Sequence, residues 1–220
     1  MVLYNTLMGV AAGVAMVLIP VLGNQIRRRQ SVAAQGWALA FAVLGALLTF
    51  LGAAMTVTWP LTAKPQVNIL FGEPSLFLGV LLLAAAFYLW RYPKSVSELE
   101  DDSFEQLLRV LAPVSWLVFA LGLVLFACTL AIFEFTAIGA APPSEPIMGA
   151  FSNQPAVENT LLGLIFLAAC LGTAPAPLAV RNLDGLAARV AGWSLLVGGA
   201  VLTLYSTMNY YTHIGLEVRT

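Results

Sequence analysis

Residues 5–29 read NTLMGVAAGVAMVLIPVLGNQIRRR, and the order of apolar and basic parts in this stretch decides the fold. From Asn5 to Ile26 the run is uncharged, and crossing a hydrocarbon core takes ~20 apolar residues at ~1.5 Å rise. A secretory signal carries its positive charge ahead of the apolar run. Here nothing basic precedes Gly9, whereas Arg27, Arg28 and Arg29 follow the run, so the segment reads as a retained helix. Basic flanks stay in the cytoplasm, which places the N-terminus outside it.

Composition extends this reading to the whole chain. Hydrophobic residues make up 60% of the 220 residues and charged residues only 10%, far from the balance of a soluble domain. Six predominantly apolar stretches, roughly 5–25, 34–59, 74–92, 110–138, 158–178 and 187–212, predict an all-α membrane protein of six spans. The connections on the arginine side hold Arg27, Arg28, Arg29, Arg91, Lys94, Arg109, Arg181 and Arg189; only Lys64 and Arg219 fall on the other. The expectation is a multi-pass protein of the cytoplasmic membrane with both termini extracytoplasmic. No nucleic-acid partner is expected at a net charge of −1.

The pentapeptide NTLMG at 5–9 returns as NTLLG at 159–163, and SLFLG stands at 75–79. Of the eleven positions in SLFLGVLLLAA and NTLLGLIFLAA, five are identical. The even spans repeat too, opening on Gly36-Trp37, Ser115-Trp116 and Gly192-Trp193, with Trp-to-Trp spacings of 79 and 77. A single domain over 1–220 is expected, built of three helical hairpins (about 1–61, 70–139 and 155–214) in a pseudo-threefold arrangement. Gly9, Gly79 and Gly163 should face neighbouring helices, because in lipid close backbone approach supplies the packing. Trp37, Trp116, Tyr88, Trp90 and Tyr92 mark the inner interface.

Little chemistry is legible on the arginine side. In RYPKSVSELEDDSFEQLLR (91–109) the Ser103/Gln106 pair resembles a capping box that starts the fourth long helix, and Glu98, Glu100, Asp101 and Asp102 form a solvated collar or a docking patch. The opposite side is richer. Asn5, Glu73, Glu158 and Asn159 precede odd spans, where they could cap helix N-termini. Glu134 and His213 stand 18 and 20 residues beyond their Trp, ~27 and ~30 Å up their helices. Tyr205, Asn209 and His213 recur at i, i+4 and i+8 and make one face of the last helix polar.

A polar stripe at that depth should face the bundle or a partner. The candidate outer pocket therefore comprises Glu134, His213, Asn209, Tyr210, Glu73 and Glu158, and Glu134 with His213 could hold a divalent metal. With one His in the chain, a bis-histidine haem is excluded. Cys128 and Cys170 fall mid-helix and read as packing residues rather than a disulfide. Midplane hydroxyls such as Thr49, Thr129 and Thr203 can bond their own helices, whereas carriers place charged groups there.

The whole chain resembles a family of six-helix integral membrane proteins of bacteria and archaea grouped as a domain of unknown function. FGEPSLFLG at 71–79, the Pro-rich GAAPPSEPIMG at 139–149 and the six-span plan carry the resemblance. It implies the fold and transfers no functional residue. The expected role is a non-catalytic membrane subunit, a homo-oligomer or part of a larger complex. The alternatives are an outward-facing small-molecule or metal-binding protein and a transporter.

Overall fold

The computed structural model describes residues 4–97 and 100–219. Its helices are α1 (Tyr4–Arg27), α2 (Ala34–Thr58), α3 (Gln66–Arg91), α4 (Lys94–Ser97), α5 (Asp101–Phe135), α6 (Pro155–Thr173), α7 (Ala176–Arg181) and α8 (Leu186–Arg219), with a 3₁₀ turn at Met148–Phe151. Among the described residues there is no strand, and six helical stretches are long and apolar enough to cross a membrane.

Helix boundaries follow local chemistry. Trp59 closes α2 in a left-handed conformation at φ 46°, and Pro60 cannot continue the helix. The expected third span, 74–92, starts eight residues early, at Gln66. Pro74 lies inside α3 rather than at its start, a placement membrane helices tolerate when neighbours support the freed carbonyl. Asn68 explains the earlier start. Its amide donates to the Leu61 and Pro65 carbonyls and its Oδ1 accepts from Leu61 N–H, which pins the connecting loop.

The 35 residues of α5 extend ~52 Å, well beyond a ~30 Å core, and its first turns stay packed on the bundle through Phe104 and the buried Leu107. The expected capping box at Ser103 is not used: Glu100 takes the N-cap position, and Asp101 and Asp102 lie in the first turn, where they meet the positive end of the helix dipole. At the other end Thr136 closes α5 at φ 52°. The expected span 158–178 is divided at Ala174–Pro175, and Gly122 of α5 accommodates that break: a Cβ there would lie 2.7 Å from Ala174 N.

Glycine seams dominate the assembly of the helices. The closest pairs are α1 with α8, α2 with α3, and α5 with α6, while α6 also packs on α8 and α1 on α2. A Cβ on Gly13 would meet Thr203 N at 2.7 Å and Gly199 O at 2.8 Å; one on Gly52 would meet Leu76 N at 2.6 Å. Side chains larger than hydrogen are excluded because the obstacle is backbone. Gly9 faces Ser206, Gly79 faces Thr49, and Gly163 faces the Phe133 ring, so each packs against another helix as expected. Cys128 and Cys170 are free, buried members of one apolar cluster with Leu125, Ile132 and Phe166.

The bundle has two chemically distinct ends. At the arginine end Arg27 pairs with Asp184 at 2.9 Å, while Arg29 pairs with Asp101 and lies 4.7 Å over the Phe104 ring. These tie the loop after α1 to α5 and to the loop before α8. Of the acidic collar, Asp101 thus has a partner, Glu100 and Asp102 are exposed, and Glu98 lies outside the described residues. The opposite, terminal end carries the first turn of α1, the last turns of α8, the loop 59–65 and the long loop 136–154.

Candidate functional site at the terminal end

The polar stripe of α8 points into the protein. Tyr205 Oη donates to Glu158 Oε1 of α6 at 3.2 Å, and the Asn209 side chain hydrogen-bonds with Tyr205. One turn further, His213 is buried, with only 7% of its surface exposed. Its Nδ1 lies 3.1 Å from Thr6 Oγ1 of α1, and its Nε2 lies 3.9 Å from Glu145 Oε1 of loop 136–154. A ring protonated on Nε2 would accept from Thr6 at Nδ1 and turn its N–H toward Glu145.

Glu145 is itself 8% exposed, an uncommon position for a carboxylate without a partner. The loop that delivers it is stitched to the bundle by side chains from three elements. Lys64 Nζ donates to the Ile138 carbonyl at 2.8 Å and to the Ala140 carbonyl at 3.0 Å. Gln66 Nε2 donates to the Ala137 carbonyl at 2.9 Å. Asn159 Oδ1 accepts from Ile138 N–H at 3.0 Å, and its Nδ2 donates to the Gly139 and Pro155 carbonyls. Gly139, at φ 75°, makes the turn that brings these carbonyls round.

The result is a polar chamber in the sense of a cluster beneath the loop, in which Glu158 interacts electrostatically with Lys64 and Glu145. Among the described residues two buried acceptors at this end of the bundle, Glu158 Oε2 and, on α1, Asn5 Oδ1, have no hydrogen-bond partner. Buried acceptors normally find donors, so these two mark where a donor or cation would be best received.

Of the residues expected in an outer pocket, Glu158, Asn209 and His213 are linked into this chamber through Tyr205, Thr6 and Glu145. Tyr210 is half-buried on α8. Glu134 and Glu73 are exposed and make no hydrogen bond or ion pair among the described residues. Glu73 also falls in the interior of α3, so it caps no helix. The carboxylate that meets His213 is Glu145, and no group of three or more His, Cys, Asp or Glu side chains able to hold a metal occurs among the described residues. Asn5 and Asn159, read as possible caps, act otherwise: Asn159 binds the loop, and the Asn5 oxygen has no hydrogen-bond partner among the described residues.

Sequence reasoning passed over Glu145, Thr6, Lys64 and Gln66. The signal for Glu145 was a lone charge among the prolines of PPSEP. Lys64 stood out only as a basic residue on the wrong side of the charge bias.

A family model described as a protein of unknown function, DUF981, matches residues 1–215. Neither the curated proteins nor the solved structures give a match to the chain.

Proposed function

The chain belongs to the DUF981 family, and on that footing we propose that it is a non-catalytic integral membrane subunit, working with copies of itself or within a larger membrane complex. The observation that carries this reading is how the terminal end uses its polar side chains. Lys64, Gln66, Asn159 and His213 close on the chain's own loop and hold 136–154 as a fixed surface. Within the spans, Thr129, Thr173 and Thr203 donate to carbonyls of their own helices, which suits a static bundle better than a transport path.

In this reading the arginine end lies in the cytoplasm and both termini outside the cytoplasmic membrane, as the basic-residue bias supports. The hairpins 1–61, 70–139 and 155–214 are copies about a pseudo-threefold axis. Supporting this, Gly9 packs on α8, Gly79 on α2 and Gly163 on α5: each meets the returning helix of the preceding hairpin, and the first closes on the last. Purification from native membranes in mild detergent, with cross-linking before extraction, should yield a defined oligomer or a reproducible partner. A monomer alone under every mild condition would refute the subunit reading.

Glu158 Oε2, without a hydrogen-bond partner among the described residues, favours a second reading, a small cationic ligand in the chamber. Metal binding by Glu134 with His213 is its weaker form, since Glu134 is exposed and His213 is engaged by Thr6 and Glu145. Metal analysis and thermal shifts with added cations test both, using Glu158→Gln, Glu134→Gln and His213→Ala. A cation-dependent shift lost only in Glu158→Gln supports the chamber; no shift with any cation removes it.

A further inference from the structure

On the lipid-facing side of the α2–α3 pair, at the arginine end, a groove of about 350 Å³ runs between the helices. Ala38, Ala42 and Ala86 form its floor, Leu39 one wall, and Phe87 with Trp90 the other, their rings 6.2 Å apart. The walls are exposed: Leu39 67%, Phe87 61%, Trp90 65%. From the mouth at Gln35 and Trp90 to the base at Ala42 and Leu83 is seven residues, ~10 Å of helix. The groove is thus a slot made by small residues at i and i+4 on α2, too shallow to belong to the core.

Two exposed basic residues follow Trp90 of the mouth along the chain. Arg91 follows Trp90 at the last turn of α3, with its guanidinium 5.3 Å over the Tyr92 ring, and Lys94 starts α4. Among the described residues neither Arg91 nor Lys94 makes an ion pair; of the other basic residues at this end Arg27, Arg29 and Arg109 do, and Arg28, Arg181 and Arg189 do not. Trp90 and Tyr92 mark the headgroup layer, where amphipathic rings settle. An apolar slot leading down from uncompensated cations at that level has the shape and charge order of a phospholipid with a negative headgroup. A helix of a partner protein would fill the slot but leave the cations unanswered.

We propose that this groove holds one acyl chain of an anionic phospholipid whose phosphate headgroup is received by Arg91 and Lys94, with Gln35 as a neutral hydrogen-bonding group at the mouth. The apolar part supplies little selectivity, because a chain leaving the bilayer for the groove exchanges one hydrocarbon environment for another. Selection comes from the cations. One basic residue near an anionic surface contributes ~1 kcal/mol, about fivefold in occupancy.

The test is native mass spectrometry of the purified full chain in detergent, titrated with phosphatidylglycerol or phosphatidylcholine of the same acyl composition. Retention of phosphatidylglycerol about fivefold or more above phosphatidylcholine is expected. Arg91→Gln combined with Lys94→Gln should bring the ratio close to one. Leu39→Ala with Phe87→Ala, both at exposed positions, should reduce retention of both lipids and leave the ratio intact. Glycerophosphoglycerol, the headgroup without chains, should not compete. Equal retention of the two lipids by the native chain, an unchanged ratio in the arginine–lysine variant, or competition by the free headgroup would each overturn the proposal.

Discussion

Gly52 and Gly23 are both helical glycines, yet they answer to different physics. A Cβ on Gly52 would meet Leu76 N at 2.6 Å and Gly72 O at 2.9 Å, backbone atoms that move only if α2 and α3 separate. Gly23 has nothing within 4 Å. Gly52→Ala is therefore expected to destabilise the bundle by ~1–3 kcal/mol, the usual cost of overpacking, despite alanine's better helix propensity. Gly23→Ala should be neutral or stabilising by up to ~1 kcal/mol. Thermal denaturation in one detergent compares them, and equal effects would deny the close seam. Thr49 shows how context overrides residue type. It was expected to bond its own helix like Thr129 and Thr203, but its hydroxyl has no hydrogen-bond partner among the described residues. It sits instead against Gly79, in the tightest part of the same seam.

The loop 136–154 behaves as a tethered element rather than a free connection. Lys64 gives it two charge-assisted bonds, each typically ~1.5–3 kcal/mol, because an ammonium donates to both carbonyls. Lys64→Ala should therefore raise amide exchange across residues 137–141 by about tenfold or more, a change of ~1.4 kcal/mol or above, with exchange at the α2–α3 seam unaltered. The second tether is the His213–Glu145 contact at 3.9 Å. Removing one partner leaves a buried polar group unsatisfied, which costs ~1–3 kcal/mol. His213→Ala and Glu145→Ala should thus each destabilise the chain, and the double variant should be no worse than the poorer single one. Additive losses in a thermal double-mutant cycle would show that the two side chains act independently.

For the whole molecule the open quantity is its direction in the bilayer. The two ends differ in charge: Arg27, Arg28, Arg29, Arg91 and Lys94 at one, and at the other Lys64, bonded to loop carbonyls beside Glu158. That engagement explains how a basic residue resides on the side the bias disfavours. With Cys128 and Cys170 replaced, single cysteines at Ser31 and Ser97 should resist an impermeant thiol reagent in whole cells, and one at the exposed Ser144 should react. Reversed labelling would invert the protein and with it the leaflet of the lipid groove, while leaving the groove's chemistry intact.

The six spans, the charge asymmetry and the glycine contacts could be read from the chain because each depends on local composition: a helix in hydrocarbon satisfies its own backbone, so length and apolarity suffice to place it. Residues such as Gly9, Gly79 and Gly163 were legible for the same reason, since small side chains are what lipid-embedded helices need where they meet. The start of α3 at Gln66 was not, because it depends on Asn68 clasping a loop that composition treats as a break. The polar chamber was half visible. Tyr205, Asn209 and His213 share a face by helical period alone, but which carboxylate meets His213 depends on how an irregular loop folds back. Height along the helix favoured Glu134; the folded loop delivers Glu145, because an axial coordinate carries no information about the direction in which a side chain points.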